Sequence, residues 1–420
     1  MLTEKQSSTS PMSGLQADAM VLGLGGTVDY EIVWDNATFQ SLVDSYGITL
    51  KDLSKSIVIE SEREMICNIV SHFQDSCGGE IQVSSSEIVK TFSNRFEKRI
   101  TLGGTGVRAA IAMKKFGQTT TQHLVSIDDN VRNMLPEGTK YICSADSDSL
   151  DPHLIIQFDP RAVVRVENTV ISPLRADRLI LTCDPPNEIL KLSNELPRVL
   201  TTASIFLISG FNSIHEKSLL ELRLQEIEEY SKSCPKEALI FFEDAGYHRP
   251  EFRTIVMAAI SKLATFYSMN EEELQKYLQR DVNYLDAKSV VAALSDISSL
   301  IDVPILVIHT KYYSVILGKD YVKYVDCMIS GMTMATTRYI HGDNFTVSEF
   351  EAVGASPKNI LSLSIESEVN RQIAGWGCLL PAFEVTCESP TTIGLGDTFV
   401  GGFLLELAEI MEHSLKKVGQ

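Results

Sequence analysis

The sequence predicts an α/β fold: a doubly wound, largely parallel sheet joined to a smaller α+β lid. Three observations predict it. From Ala203 onward, apolar runs (IFLISG, ALIFFE, ILVIHT) alternate with amphipathic stretches at Ser218 to Ser231 and Glu271 to Leu278, the rhythm of strands and crossover helices on a parallel sheet. Gly103-Gly104-Thr105-Gly106 opens an Ala-rich helix, Val107 to Phe116. Between His153 and Cys183 the text changes to β-branched segments (LIIQF, AVVRVENTV, RLILTC) broken by Asp159-Pro160 and Ser172-Pro173, which predicts antiparallel strands.

In chain order, residues 1–18 are rich in Ser, Thr and Gln and are expected to be a disordered tail. Met20 to Gly26 (MVLGLGG) reads as a buried strand entering a glycine turn, with Asp29 just past its end. Tyr30 to about Arg99 mixes polar turns with a helical stretch, Glu62 to Phe73. The predicted division is a large α/β domain from 19–29, 100–152 and 184–420, and a lid from 30–99 and 153–183.

The formal net charge is −18, from 37 basic and 55 acidic residues. Such a balance repels nucleic acid and anionic membrane surfaces, and no basic patch offsets it, so neither is expected as a partner. The eight cysteines are scattered without a C-x-x-C pair or zinc spacing, and read as reduced thiols. No signal peptide and no run of roughly 18 apolar residues is found. The expectation is a cytoplasmic protein, a monomer or small homo-oligomer.

In open parallel sheets ligands bind beyond the carboxyl ends of the strands. The polar residues just after each apolar run are therefore the first candidates: Asp29, Gly103-Gly104, Asn212, Glu243-Asp244, Asn270 to Glu273, His309-Thr310 and Gly394 to Asp397. The strongest segment is TTIGLGDTFVGG (391–402), followed by the apolar-periodic Phe403 to Met411. A glycine turn at a helix start aims free N–H groups and the positive end of the helix dipole at one spot, which suits a phosphate gaining charge. Asp397 then stands where it accepts a proton from an attacking hydroxyl. On the G-x-G-D string alone, a plain N-cap explains Asp397 as well. Thr392 and the Gly401-Gly402 pair, read as allowing close backbone approach, favour the functional account.

These motifs, over nearly the whole chain, resemble the ADP-dependent glucokinase and phosphofructokinase group of the ribokinase-like superfamily. The resemblance implies a ribokinase-like fold and a sugar kinase that takes the β-phosphoryl group from ADP and leaves AMP. It makes Asp397 the catalytic base, with Gly394 and Gly396 in the anion hole. Asn270-Glu271-Glu272-Glu273 is similar to the family's N-x-x-E motif, and ALIFFEDA to its H-x-E strand. Glu273 and Glu243 are thereby implied at magnesium, although Phe241 occupies the His position. ILVIHTKYY implies His309 and Thr310 near the nucleotide, with Asn270 and Gly394. SPLRADRLILTCDPPN implies a lid arginine on the transferred phosphates, Arg178 first and Arg175 second.

Asp29 and Gly103-Gly104 resemble the family's sugar-binding elements, and Thr105 and Asn212 are expected with them. The family's N-x-D reads Thr27-Val28-Asp29 here, and the Gln after Gly-Gly is Thr105. The acceptor is thus left open between a sugar, a sugar phosphate and a nucleoside. Arg161 and Arg165 read as a solvated face, His248 as a loop residue, and His309 as either a pocket residue or a structural one. Two rival readings stand: an ATP-dependent ribokinase-like carbohydrate or nucleoside kinase, and an inactive sugar- or nucleotide-binding regulator.

Overall fold

The computed structural model describes residues 15–387 and 390–418. They form a nine-stranded sheet in the spatial order Gly377–Pro381, Tyr313–Gly318, Ile305–His309, Phe266–Asn270, Leu239–Glu243, Ile205–Ile208, Met20–Leu22, Thr121–Leu124 and Lys140–Cys143. From Ile305–His309 to Lys140–Cys143 every pairing is parallel, while Tyr313–Gly318 pairs antiparallel with both its neighbours.

Period-two alternation builds one core on each face of this sheet. Val21, Phe206, Ile208, Phe242, Tyr267 and Ile308 point to one side, where the helices Lys217–Ser231, Phe252–Ile260 and Ala287–Leu300 cover them. Leu22, Ile205, Leu207, Phe241, Phe266 and Val307 point to the other, under the helices Thr105–Lys114, Val325–His341 and Leu395–Val418. Phe241, at the expected His position, is fully buried there between Phe266 and Phe403.

A second sheet has six strands, in the order Val58–Ile59, Gly79–Val83, Asp177–Thr182, His153–Phe158, Thr27–Ile32 and Lys98–Gly103. The expected antiparallel pairing holds between His153–Phe158 and Asp177–Thr182, but the sheet is mixed, since Thr27–Ile32 runs parallel to His153–Phe158. AVVRVENTV is not one strand. It folds as the hairpin Val164–Val166 and Thr169–Ile171, turning at Glu167 with φ 54°. Ile81, Leu154, Ile156 and Leu179 pack against helices such as Glu62–Asp75, leaving Asp29, His153, Ile155, Arg178 and Ile180 to line a cavity on the opposite side.

Two expectations need correction. Asp29 is not at the end of the first strand: that strand stops at Leu22, and Asp29 lies inside Thr27–Ile32 of the six-stranded sheet. Thr27 to Asp29 and Ile100 to Gly103, expected in the large domain, thus pair in the same sheet as the strands expected in the lid. Most of the tail, residues 1–14, lies outside the described residues, but Leu15 to Asp18 are packed. Leu15 is buried, its carbonyl accepts from the Gln118 side chain at 2.8 Å, and Asp18 pairs with Lys140. Among the described residues no helix is long and apolar enough to cross a membrane.

Candidate active site

Residues of both sheets line one cavity of about 890 Å³. Its floor on the nine-stranded side is the row of strand ends and the glycine turns beside them. Of the residues singled out in the sequence, Asp29, Gly104, Thr105, Arg178, Asn212, Glu243, Asn270, Glu273, His309, Thr310, Gly394, Gly396 and Asp397 all face it. Gly103 does not line it; it ends a strand, where a Cβ would collide with the Thr27 hydroxyl and the Asp29 carboxylate. Arg175 binds the Ser76 carbonyl instead (3.0 Å), and Arg161 is exposed and paired with Asp159.

The helix Leu395–Val418 begins after Gly394, whose φ of +63° is one that favours glycine. Asp397 is therefore the third helical residue rather than the N-cap, and it is partly open to the cavity. The Gly401-Gly402 pair serves helix packing instead: a Cβ on Gly401 would press on Ala109, and one on Gly402 on Ser330 and Gly331.

The three carboxyl-end positions of adjacent strands make an acidic corner. Glu243 ends its strand, and its Oε1 lies 2.9 Å from His309 Nε2, while its Oε2 is buried without a protein partner. Asn270 caps the helix Glu271–Leu278, and Glu273 closes the capping box by accepting from the Asn270 amide at 2.7 Å. Burial lifts the Glu273 carboxyl to about 7, the Asn270 amide opposing and Asp244 and Glu243 adding to it. His309 moves the same way: burial pulls it down, and the Glu243 carboxylate outweighs that. Thr310 shapes the hairpin turn, accepting from the amides of Tyr312 and Tyr313.

These oxygens fit magnesium. The unpartnered Glu243 Oε2 is a hard donor beside the Glu273 carboxylate. Magnesium keeps several waters and uses few carboxylates, so a water-mediated hold by Glu243 and Glu273 matches its chemistry.

On the other side of the cavity, His153 Nε2 lies 2.9 Å from Asp184 Oδ2, and its Nδ1 lies 4.0 Å from Asp29. Burial would neutralise this ring, but Asp184, Asp29 and Glu80 raise it to about 9 and keep it cationic. Asn187 bridges Asp184 and the Gly26 carbonyl.

Sequence reasoning missed Arg108, on the helix Thr105–Lys114. Its Nη2 donates to Asp29 Oδ2 at 2.7 Å, and its Nε stands 3.8 Å from Asp397 Oδ2. Burial opposes its charge, and Asp29 and Asp397 raise its pKa in spite of that. Its surroundings, GVRAAIAM, read as an ordinary small-residue helix; only a lone arginine on that apolar stretch was a signal.

The fold is shared with solved structures at low identity. A phosphofructokinase from Pyrococcus horikoshii OT3 solved with AMP matches at TM-score 0.77 and 14% identity, over 95% of this chain and 99% of the other. The last common ancestor of ADP-dependent phosphofructokinases from Methanosarcinales matches at 0.71 and 13%, over 93% of each chain. An ADP-dependent kinase in complex with fructose-6-phosphate and ADPβS matches at 0.66 and 13%, over 89% and 97%. No curated protein sequence matches. Residues 18–405 match the model of the ADP-specific phosphofructokinase/glucokinase conserved region; the chain belongs to that family and is an ADP-dependent sugar kinase.

Proposed function

We propose that this cavity moves the β-phosphoryl group of ADP onto a sugar or sugar-phosphate hydroxyl, with Asp397 as the base. The observation that carries the reading is the convergence of Asp397, the first amides of its helix, Glu243, Glu273 and Arg178 on one cavity. Asp397 takes the hydroxyl proton as the acceptor oxygen bonds to the β-phosphorus. The bond from that phosphorus to the bridging oxygen breaks, and AMP leaves with that oxygen. The backbone amides around Gly394 to Asp397 face the charge that grows on the phosphoryl oxygens.

Arg178, on the six-stranded sheet, clamps the phosphates from the opposite wall, and that sheet acts as the lid which keeps water from competing as acceptor. Glu243 and Glu273 hold magnesium, which, when bound, offsets the diphosphate charge. Asp29 accepts hydrogen bonds from acceptor hydroxyls, with Gly104, Thr105 and Asn212 beside it. The neighbour solved with fructose-6-phosphate and ADPβS supports this choice of substrates. His309 favours a working enzyme over an inactive regulator, because its ring holds the Glu243 carboxylate in place at 2.9 Å although Phe241 stands at the family's His position.

The test is phosphoryl transfer with magnesium, offering ADP and ATP separately to glucose, fructose 6-phosphate, ribose and adenosine, with AMP measured alongside product. Product from ADP with one AMP for each transfer is the expected result. Turnover with ATP alone, or with nothing, sinks the proposal.

A further inference from the structure

Arg108 is the most deeply buried cation at the cavity, its side chain 5% exposed. Removing a guanidinium from water costs several kcal/mol unless carboxylates and hydrogen bonds offset it. A layer of charges does so. Arg108 reaches Asp29 at 2.7 Å, Glu31 at 4.0 Å and Asp397 at 3.8 Å. Glu31 in turn accepts from Arg99 and Thr101, each at 2.7 Å. A simple fold-holding ion pair needs one of these acids. Arg108 presents different nitrogens to two of them, Nη2 to Asp29 and Nε to Asp397, and these two acids come from different parts of the molecule: a strand of the six-stranded sheet and the helix Leu395–Val418 that packs on the nine-stranded one.

Two further contacts fix what this bridge controls. A Cβ on Gly394 would lie 2.7 Å from Arg108 Cδ and 3.1 Å from its Nε, so the turn before Asp397 rests directly on the arginine. The second oxygen of Asp29 accepts from the Thr27 hydroxyl at 2.7 Å. Both Asp29 oxygens are thereby anchored, and each keeps one lone-pair direction for an acceptor hydroxyl.

We infer that Arg108 is a positioning residue for the transfer reaction, tying the acceptor contact Asp29 to the base Asp397 so that a hydroxyl bound at one is aligned with the other. The inference rests on the roles given to Asp29 and Asp397 under the proposed function. It bears chiefly on acceptor handling, since Arg108 touches the acceptor carboxylate and the base but not the Glu243 and Glu273 corner, and it reaches the phosphoryl group only through the Gly394 turn.

The experiment compares wild type, Arg108→Lys and Arg108→Ala in ADP-dependent transfer to glucose and to fructose 6-phosphate, with ADP affinity measured by calorimetry. In Arg108→Ala, kcat is expected to fall about 100-fold, the cost of misplacing reacting groups by about 1 Å. The acceptor KM should rise by a clearly larger factor than the ADP dissociation constant. Added guanidinium chloride, at concentrations that leave wild type unaffected, should restore a saturable part of the rate, and Arg108→Lys should fall between the two. Unchanged turnover in either variant overturns the inference. So does a loss of transfer and ADP affinity together without rescue, which marks a purely structural ion pair; if Arg108→Ala does not fold, Arg108→Lys carries the same comparison of acceptor KM with ADP affinity. A wild-type chain silent toward both acceptors removes the underlying reading, and the inference with it.

Discussion

His309 Nε2 stands 2.9 Å from Glu243 Oε1, a bond that spans the ends of two strands separated by a third. The intervening strand ends at Asn270 and launches the helix carrying Glu273. One imidazole thus fixes the carboxylate whose other oxygen has no protein partner. Removing it by His309→Ala should raise the magnesium concentration for half-maximal rate by about 10- to 100-fold, as loss of a supporting hydrogen bond to a metal-binding group does. A magnesium titration of initial rates checks this; an unchanged midpoint frees Glu243 from the role.

Asp397→Asn separates the base from a merely structural acid in the first turn of its helix. Asparagine keeps the size and polarity of the side chain and removes only its charge and basicity, so a purely structural role predicts near-normal turnover. The base role predicts a fall in kcat of about 10²- to 10⁴-fold, with thermal stability and ADP affinity kept. Rapid-quench measurement of AMP formation distinguishes the two.

Two histidines, His123 buried and His153 half-buried at the cavity, give opposite pH signatures. Burial holds His123 at about 4, and its neutral ring bonds the Leu24 carbonyl through Nδ1 and accepts the Ser193 amide at Nε2. With a folded pKa below the ordinary 6.5, its contribution is intact above 6.5 and is lost as pH falls from there toward 4, by up to about 1.4 kcal/mol per pH unit. His153, raised to about 9, contributes fully below 6.5 and loses that contribution as pH rises to about 9. Urea unfolding from pH 4 to 10 should show both limbs in wild type. In His153→Gln the alkaline limb should flatten while the acid limb remains.

Gly402→Ala places a methyl 2.5 Å from the Ser330 carbonyl and 2.8 Å from Gly331 Cα. Overpacking of this kind costs about 1 to 3 kcal/mol. The expected outcome is a lower Tm with kcat within a few-fold of wild type. A collapse of kcat at unchanged Tm would return Gly402 to the phosphate site.

Local signals carried the strand ends. IFLISG, ALIFFE and ILVIHT declare parallel strands by apolarity and length, and the G-x-G-D turn and the Asn270 cap declare helix starts by residue type alone. Asp29 was placed in the right cavity on the wrong strand, because four residues of turn between Leu22 and Thr27 hide the passage from one sheet to the other. Beyond its place as a lone arginine on an apolar stretch, nothing marked Arg108, because its partners lie 79 positions before it and 289 after it and no short window contains them. The glycine pair at 401 and 402 misled in the other direction: next to a phosphate-like turn it resembled more of the same, whereas helix packing needs small residues for the same reason, close approach of backbones.

The chain passes between its two sheets four times, after Leu22, Gly103, Cys143 and Thr182. Gly25 and Gly26 stand at the first passage, Gly104 at the second, His153 at the end of the third and Asn187 in the fourth, and all five line the cavity. The joints of the molecule are therefore also the walls of its binding chamber. Any change in the angle between the two sheets at these connections would change the shape of the cavity as well.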